Sequence, residues 1–179
     1  MTELSAAPRR VVFWRHGRTA WNAEGRFQGQ LDVELDAVGV EQAGRAARLL
    51  AGLPPAAVVC SDLVRARATA DPLLRLTGLN ATYHAELRET HGGAWQGLRG
   101  SEIDAADAPA YAAWRRGSDL PAGASGESRT EVGRRGAGLV RAALGQRAAG
   151  EVLVVVTHGG TTRATLGTLL RLQEFLSRH

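Results

Sequence analysis

The chain has 179 residues, 44% of them hydrophobic, and its 22 basic and 18 acidic side chains give a formal net charge of +4. That length fits one globular domain with a sizeable core, and no apolar run approaches the roughly 20 residues that span a bilayer. All 22 basic side chains are arginines, scattered rather than gathered on one face, and aromatics make up only 5%, which argues against a nucleic-acid-binding surface.

The apolar run Val11-Val12-Phe13-Trp14 reads as a buried strand that delivers Arg15-His16-Gly17 to a sheet edge. The next stretch, from Arg26-Phe27-Gln28-Gly29-Gln30 through Leu35, has no sustained period and reads as a loop whose polar groups rim a pocket. From Gly39, apolar positions recur at helical spacing through Val40, Ala43, Ala46, Ala47 and Leu50, until Gly52 and Pro54-Pro55 stop the pattern. A strand over Ala56-Ala57-Val58-Val59-Cys60 follows. Asp62 is then expected to cap a helix carrying Leu63, Ala66, Ala70, Leu73 and Leu74, with Pro72 kinking it. The lone Cys60 cannot form an internal disulfide and fits a small buried hydrophobe.

Ala81-Thr82-Tyr83-His84 suggests another strand, leading into a glycine-rich loop over Leu87 to Gly97. The stretch from Ser101 to Arg116 is Ala-rich and expected to be helical, and Gly117 to Ser128 is a glycine-rich link; together they suggest a small cap around 87–128. Ser128 and Glu131 form a capping box for a long helix through Leu144, which tolerates Gly133, Gly136 and Gly138. The run Val152-Leu153-Val154-Val155-Val156 is a second strand ending in a histidine, His158, followed by Gly159-Gly160 and a last helix from Thr161. Strand and helix alternate in the βαβ rhythm of a mostly parallel sheet.

Two strand ends that each carry a histidine can bring His16 and His158 together in one parallel sheet. A neutral imidazole is a competent nucleophile, the planar fork of Arg15 can hold an anion, and Gly17 allows close backbone approach. The combination points to phosphate chemistry. No metal is expected, because His84, His91 and His179 lack companion carboxylates at metal-ligand spacing.

The arrangement resembles the histidine phosphatase superfamily, in its phosphoglycerate mutase-like branch. Arg15-His16-Gly17 with Thr19 and Asn22, Arg26-Phe27-Gln28-Gly29, Ser61-Asp62-Leu63 with Arg65-Ala66 and Thr69-Ala70, Leu87-Arg88-Glu89 with Gly93, Trp95 and Gly97, and His158-Gly159 fall in that family's order. The resemblance covers nearly the whole chain and implies one domain over 1–179 with a three-layer α/β/α sandwich around a mostly parallel sheet. Relatives usually continue beyond the last helix with further sheet-forming sequence, which leaves an edge strand open.

By this resemblance His16 becomes phosphorylated, Arg15, Arg65 and His158 grip the phosphoryl oxygens with Asn22, and Glu89 is the general acid, with Glu86 and Glu102 as nearby alternatives. Gln28, Gly29 and Gly159 join the substrate site. The implied enzyme is a metal-independent, cofactor-free histidine acid phosphatase acting on a small anionic phosphomonoester, such as a sugar phosphate or phosphoglycerate derivative. A mutase and an inactive phospho-ligand-binding module are the alternatives.

Arg18, Arg26, Arg88 and Arg99 are expected to make the mouth positive. Gln28-Gly29-Gln30-Leu31-Asp32, Arg88-Glu89-Thr90-His91 and Gly126-Glu127-Ser128 resemble the actinobacterial glucosyl-3-phosphoglycerate phosphatases more than the mutases, although sugar-phosphate or α-ribazole phosphatases could share these loops. The expected setting is cytoplasmic, since Met1 to Arg10 lacks the apolar centre of a secretory signal; a second copy of the chain stands open as a partner, and neither nucleic acid nor membrane is expected.

Overall fold

A computed structural model of the chain describes residues 8–172, so His179 lies outside the described residues. Four strands, β1 (Arg10–Arg15), β2 (Ala57–Ser61), β3 (Ala81–His84) and β4 (Val152–Thr157), pair in parallel in the order β1-β4-β2-β3. The centre is β4, in which all six residues are buried and three are consecutive valines. β-branched side chains suit a pleated strand covered on both faces, and they leave no polar alternation to expose one side.

Six α-helices flank the sheet among the described residues: α1 (Ala20–Ala23), α2 (Ala37–Ala51), α3 (Val64–Thr77), α4 (Gly100–Arg115), α5 (Arg129–Gly145) and α6 (Gly159–Leu169). Because successive strand side chains point to opposite faces, Val152, Val154 and Val156 pack with Trp14, Val58 and Cys60 beneath Ala43 and Ala47 of α2 and Ala66, Ala70 and Leu73 of α3. Leu153 and Val155 pack the other way, with Phe13, Val59 and Leu87, against Leu139 and Val140 of α5 and Leu169 of α6. These are the three layers expected from the sequence. A separate cluster joins Trp95, Ile103 and Ala122 to Phe27, Tyr111 and Trp114, and it walls the pocket described below.

Local chemistry departs from expectation at three points. Asp62 does not cap α3, because both its carboxylate oxygens accept from Arg88. The N-cap residue is Leu63, without a side-chain bond, and the backbone N–H of Val64 donates instead to Asp32, in the loop before α2, at 2.7 Å. The helix α3 runs from Val64 through Thr77 across Pro72, whereas the break falls in α4, at Asp107 with φ −155° and ψ 73°, two residues before Pro109. Asp107 restarts the helix there as a cap, its Oδ1 accepting from the N–H of Ala110 at 3.1 Å, and Pro109 in the first turn after it has no N–H to satisfy. The last helix also begins at Gly159 rather than Thr161, immediately after His158. The Ser128 and Glu131 capping box is present as expected.

Candidate active site

The register of the sheet sets the catalytic end. Arg15 pairs with Thr157 across β1 and β4, while Cys60 pairs with Val156 across β2 and β4, so three strands finish level with one another. The chain beyond β1 stays attached, since the N–H of His16 donates to the carbonyl of Thr157 at 2.9 Å. His16 and His158 therefore meet, with ring centroids 5.0 Å apart.

His16 is buried, and its Nδ1 lies 2.7 Å from the carbonyl oxygen of Gly17. A carbonyl can only accept, so Nδ1 carries the proton and Nε2 keeps its lone pair. Burial, reinforced by Arg65 and Arg15, lowers the pKa of His16 from 6.5 to about 4, against the opposing pull of the Gly17 carbonyl and Glu89. The ring is thus neutral and nucleophilic through mildly acidic pH. Gly17 is fixed by sterics: a Cβ there would strike the backbone of Gly39 in the first turn of α2.

His158 is fully buried behind His16, and burial followed by Arg65 keeps its pKa well below the ordinary value. Its Nε2 is 2.9 Å from Oγ of Ser61, and that Oγ also accepts from the N–H of Leu63 at 3.4 Å. While accepting from Leu63 the hydroxyl still has its own proton to give Nε2, and with that bond the imidazole proton stands on Nδ1. Nδ1 is buried and without a hydrogen-bond partner among the described residues, so it is a donor available to an oxygen entering from the His16 side.

Arg65 brings a buried cation to this end. It is fully buried, yet its NH1 and NH2 donate to the carbonyls of Leu31 at 2.8 Å and Gly29 at 2.7 Å rather than to a carboxylate, and Nε has no partner among the described residues. Desolvation brings its pKa down to about 10, opposed by Glu89 and Asp32, so it remains charged at working pH. A guanidinium buried against neutral carbonyls is a charge held in readiness for an anion, since burial without a counter-charge is otherwise costly.

Arg15, His16, Asn22, Gln28, Gly29, Arg65 and Glu89 all line one open pocket, of about 710 Å³ including its mouth. His158 and Gly159 stand behind this lining, and Gly159 backs onto the Arg15 guanidinium, which a Cβ would approach at 3.4 Å. Asn22 serves the local turn as well: its Oδ1 accepts from the Thr19 N–H at 3.1 Å, and Thr19 Oγ1 donates at 3.0 Å to Gln28 Oε1. With both amide oxygens engaged, the NH₂ groups of Asn22 and Gln28 are the donors left for the pocket.

Glu89 is held at the start of α6. Its Oε2 accepts from the N–H of Gly160 at 3.0 Å, and its Oε1 accepts from the N–H groups of Thr161 at 3.0 Å and Thr90 at 2.8 Å. The first-turn N–H groups of a helix have no partner within it and favour an acidic group there. Gly160 is needed at this contact, because a Cβ would collide with the carboxylate.

Behind Glu89 sits Arg135 of α5, which donates to the carbonyls of Glu86 at 2.6 Å, Arg88 at 2.7 Å and Glu89 at 3.1 Å, and pairs with Glu127 at 2.8 Å. Burial raises the pKa of Glu127, but Arg135 and the His91 N–H outweigh it and hold the carboxylate ionised. The sequence alone assigns Arg135 no place at the site and carries Glu127 only within the Gly126-Glu127-Ser128 resemblance. An arginine beside Arg134 in the middle of a helix gives no signal of three carbonyls waiting in a distant loop.

The alternatives to Glu89 lie elsewhere. Glu86 is exposed and reaches the site only through its backbone carbonyl, and Glu102 accepts from the Arg99 N–H and faces Arg26 at 3.8 Å. The expected positive mouth is corrected in part. Arg26 lines the pocket, whereas Arg18 pairs with Asp36, Arg88 with Asp62, and Arg99 with Glu24, none of them in the lining. The pocket instead draws on Arg129 and Arg163, with Phe27 and Trp114 as its apolar surface.

The family model of the histidine phosphatase superfamily, branch 1, matches residues 11–178. The chain belongs to the histidine phosphatase superfamily. Among solved structures of the family, a mycobacterial glucosyl-3-phosphoglycerate phosphatase in complex with VO3 superposes with a TM-score of 0.87 at 42% identity, over 92% of this chain and 83% of that one. A glucosyl-3-phosphoglycerate phosphatase of Mycolicibacterium vanbaalenii is 49% identical over 107 residues, which are 60% of this chain and 48% of that protein. The match thus spans about half the length of that relative. A metal-independent phosphoserine phosphatase of Arabidopsis thaliana is 37% identical over 86% of this chain and 66% of that protein.

Proposed function

We propose that this member of the histidine phosphatase superfamily is a phosphomonoesterase that hydrolyses a small anionic phosphorylated metabolite, a sugar phosphate or phosphoglycerate derivative, through a phosphohistidine on His16. The observation that carries the reading is the hydrogen bond from His16 Nδ1 to the Gly17 carbonyl, which leaves a lone pair on Nε2 beside two arginines. In the first step Nε2 attacks phosphorus while the ester P–O bond breaks. Arg15, Arg65, Asn22 and the Nδ1–H of His158 stabilise charge on the nonbridging oxygens, the effect that dominates phosphoryl transfer.

Protonated Glu89 gives its proton to the leaving alkoxide. In the second step the Glu89 carboxylate takes a proton from water, the resulting hydroxide attacks phosphorus, and the P–N bond breaks to release phosphate and regenerate His16. Segment 87–128 acts as a cap that supplies the apolar wall, and no metal or cofactor takes part. The substrate class assigns the enzyme to the cytoplasm; among the described residues no helix is long and apolar enough to cross a membrane.

Relatives at 39% identity over 65% of this chain include a 2,3-bisphosphoglycerate-dependent phosphoglycerate mutase of Clavibacter michiganensis, so isomerisation is the reading to test against. Enzyme incubated with a ³²P-labelled phosphomonoester and quenched in base is expected to retain label that acid releases, and His16→Ala to retain none. Free phosphate is expected to outpace 3-to-2 phosphoglycerate conversion, with and without 2,3-bisphosphoglycerate. Bisphosphate-dependent isomerisation as the faster reaction would make the chain a mutase.

A further inference from the structure

The segment that carries Glu89 is held by its carbonyls. Arg135 donates to those of Glu86, Arg88 and Glu89, Thr157 Oγ1 to that of Leu87 at 2.7 Å, and Thr161 Oγ1 to that of Arg88 at 2.7 Å. These donors stand on α5, β4 and α6, so they fasten the segment to the frame of the sheet. None of them fixes its distance from the arginine on the other side of the pocket.

Arg65 is anchored by a different piece of chain. Its terminal nitrogens donate to the carbonyls of Gly29 and Leu31, the two neighbours of Gln30. These residues form a tight turn, closed by the Leu31 N–H on the Gln28 carbonyl at 3.1 Å, with Gly29 at φ 54° in the left-handed region that favours glycine. The main chain at Gln30 therefore moves with the guanidinium.

The side chain of Gln30 reaches the opposite way. Its Nε2 donates to the carbonyl of Glu89 at 3.2 Å and to Oε2 of Glu127 at 3.3 Å, the same oxygen that accepts from Arg135 at 2.9 Å. Both partners are acceptors, which fixes the orientation of the amide. A second tie runs alongside: the Gln30 N–H donates at 2.8 Å to Oε1 of Gln96, which also accepts from the N–H of Gly92 at 3.2 Å. Gln30 is half-buried and does not line the pocket, so it acts on the reaction through other groups.

A phosphoryl group gripped by Arg65 must present its leaving oxygen to Glu89, and a misplacement of about 1 Å between such groups costs on the order of 100-fold in rate. We infer that Gln30 is a positioning residue, which sets the separation of Arg65 and Glu89 by joining the turn that anchors one to the segment that carries the other. The inference rests on the phosphomonoesterase reading and names what aligns the two halves of that site.

Substitutions at Gln30, assayed with 3-phosphoglycerate as an alkyl ester and p-nitrophenyl phosphate as an aryl ester, test it. Gln30→Met keeps the length of the side chain and removes the donor. Glu127 then retains Arg135 and the His91 N–H, and the Glu89 carbonyl retains Arg135, so neither acceptor is left without a donor. The Tm is expected within about 4 °C of wild type. For the alkyl ester kcat should fall about 30-fold, and for the aryl ester, which draws on the clamp but not on the acid, about threefold, with KM changed less than about twofold for both. Gln30→Lys, a donor to the same two acceptors, should recover part of the alkyl loss, and Gln30→Glu, which meets them with acceptors, should exceed it. If the Met variant does not fold, the Lys and Glu variants carry the same comparison. Equal losses with the two esters, or losses that Lys and Glu do not separate, would overturn the inference.

Phosphate release and ³²P labelling of His16 from 3-phosphoglycerate separate this inference from the reading beneath it. Hydrolysis indifferent to Gln30 overturns the positioning role and leaves the phosphatase. Labelled His16 with isomerisation in place of phosphate release overturns the phosphatase; slower labelling of Gln30→Met then keeps the positioning role, and an unchanged rate of labelling removes it. Neither label nor phosphate from wild-type enzyme overturns both.

Discussion

The floor and the wall of the pocket are built in different ways. The floor carries His16, Arg65 and His158, all buried at the level ends of β1, β2 and β4, and the polar atoms around them are backbone carbonyls or the Ser61 hydroxyl. The wall carries Phe27, Trp114, Arg129 and Arg163, half-buried or exposed, drawn from a loop and three separate helices. Parts that must keep one protonation state and one geometry sit where main chain holds them. Parts that meet the variable half of a substrate sit where a side chain can be exchanged without disturbing the sheet.

Glu89 lies between the two regions, and its removal should have the largest effect. Glu89→Gln keeps the shape and one acceptor oxygen, gives up one of the contacts to the Gly160 and Thr161 N–H groups, and cannot deliver a proton, so kcat for an alkyl phosphate is expected to fall about 10²–10³-fold. An aryl phosphate, whose phenolate leaves unaided, should lose less than about 10-fold in the same assay. Equal losses with both would remove Glu89 from the acid role.

The floor also predicts a pH response. His16 titrates near 6.5 in the unfolded chain and at about 4 in the folded one, so between these values the unfolded state holds a proton that the folded state refuses. Stability therefore falls as pH drops from 6.5 to 4, by up to about 3 kcal/mol from this group, and His158 acts in the same direction. Urea unfolding of wild type and His16→Asn across that window measures the difference; parallel curves would refute it.

Arg135 tests whether the loop that carries Glu89 is held from behind. Arg135→Gln removes the ion pair with Glu127 and the donors to three carbonyls, and is expected to cost about 2 kcal/mol of stability. If Arg135 positions the acid, kcat falls about 10-fold with KM nearly unchanged, and Arg135→Lys recovers part of the loss. An unchanged kcat would confine Arg135 to stability.

The smallest effect belongs to Arg18, which is paired with Asp36 at the surface, outside the pocket. Arg18→Gln should shift stability by less than about 0.5 kcal/mol and leave kcat/KM within about twofold, because exposed pairs contribute little. A larger loss of activity would bring the mouth back to the arginines first expected there.

Most of the floor was legible in the sequence because buried parallel strands announce themselves: Val152 to Val156 has no polar interruption, and the histidine that follows must stand at the sheet edge. The capping box at Ser128 was equally plain, and its very next residue is Arg129. What stayed hidden was which arginine meets which acid. Arg88 takes Asp62 away from its helix and Asp32 caps that helix from another loop, partnerships between residues 26 and 32 positions apart that no local pattern records. Arg163 had a usable signal, since a residue three after Gly160 on a helix that starts at Gly159 returns to the face of the pocket.

The backbone contact between Gly17 and Gly39 ties the turn of the nucleophile to the start of a helix whose buried residues Ala43, Ala47 and Leu50 face Trp14 and Val154 rather than substrate. Loss of function therefore has an address away from the pocket. A library of random inactivating alleles should return Gly39 beside His16, as a position that touches no ligand and yet dictates how closely the nucleophile's own backbone can lie against the core.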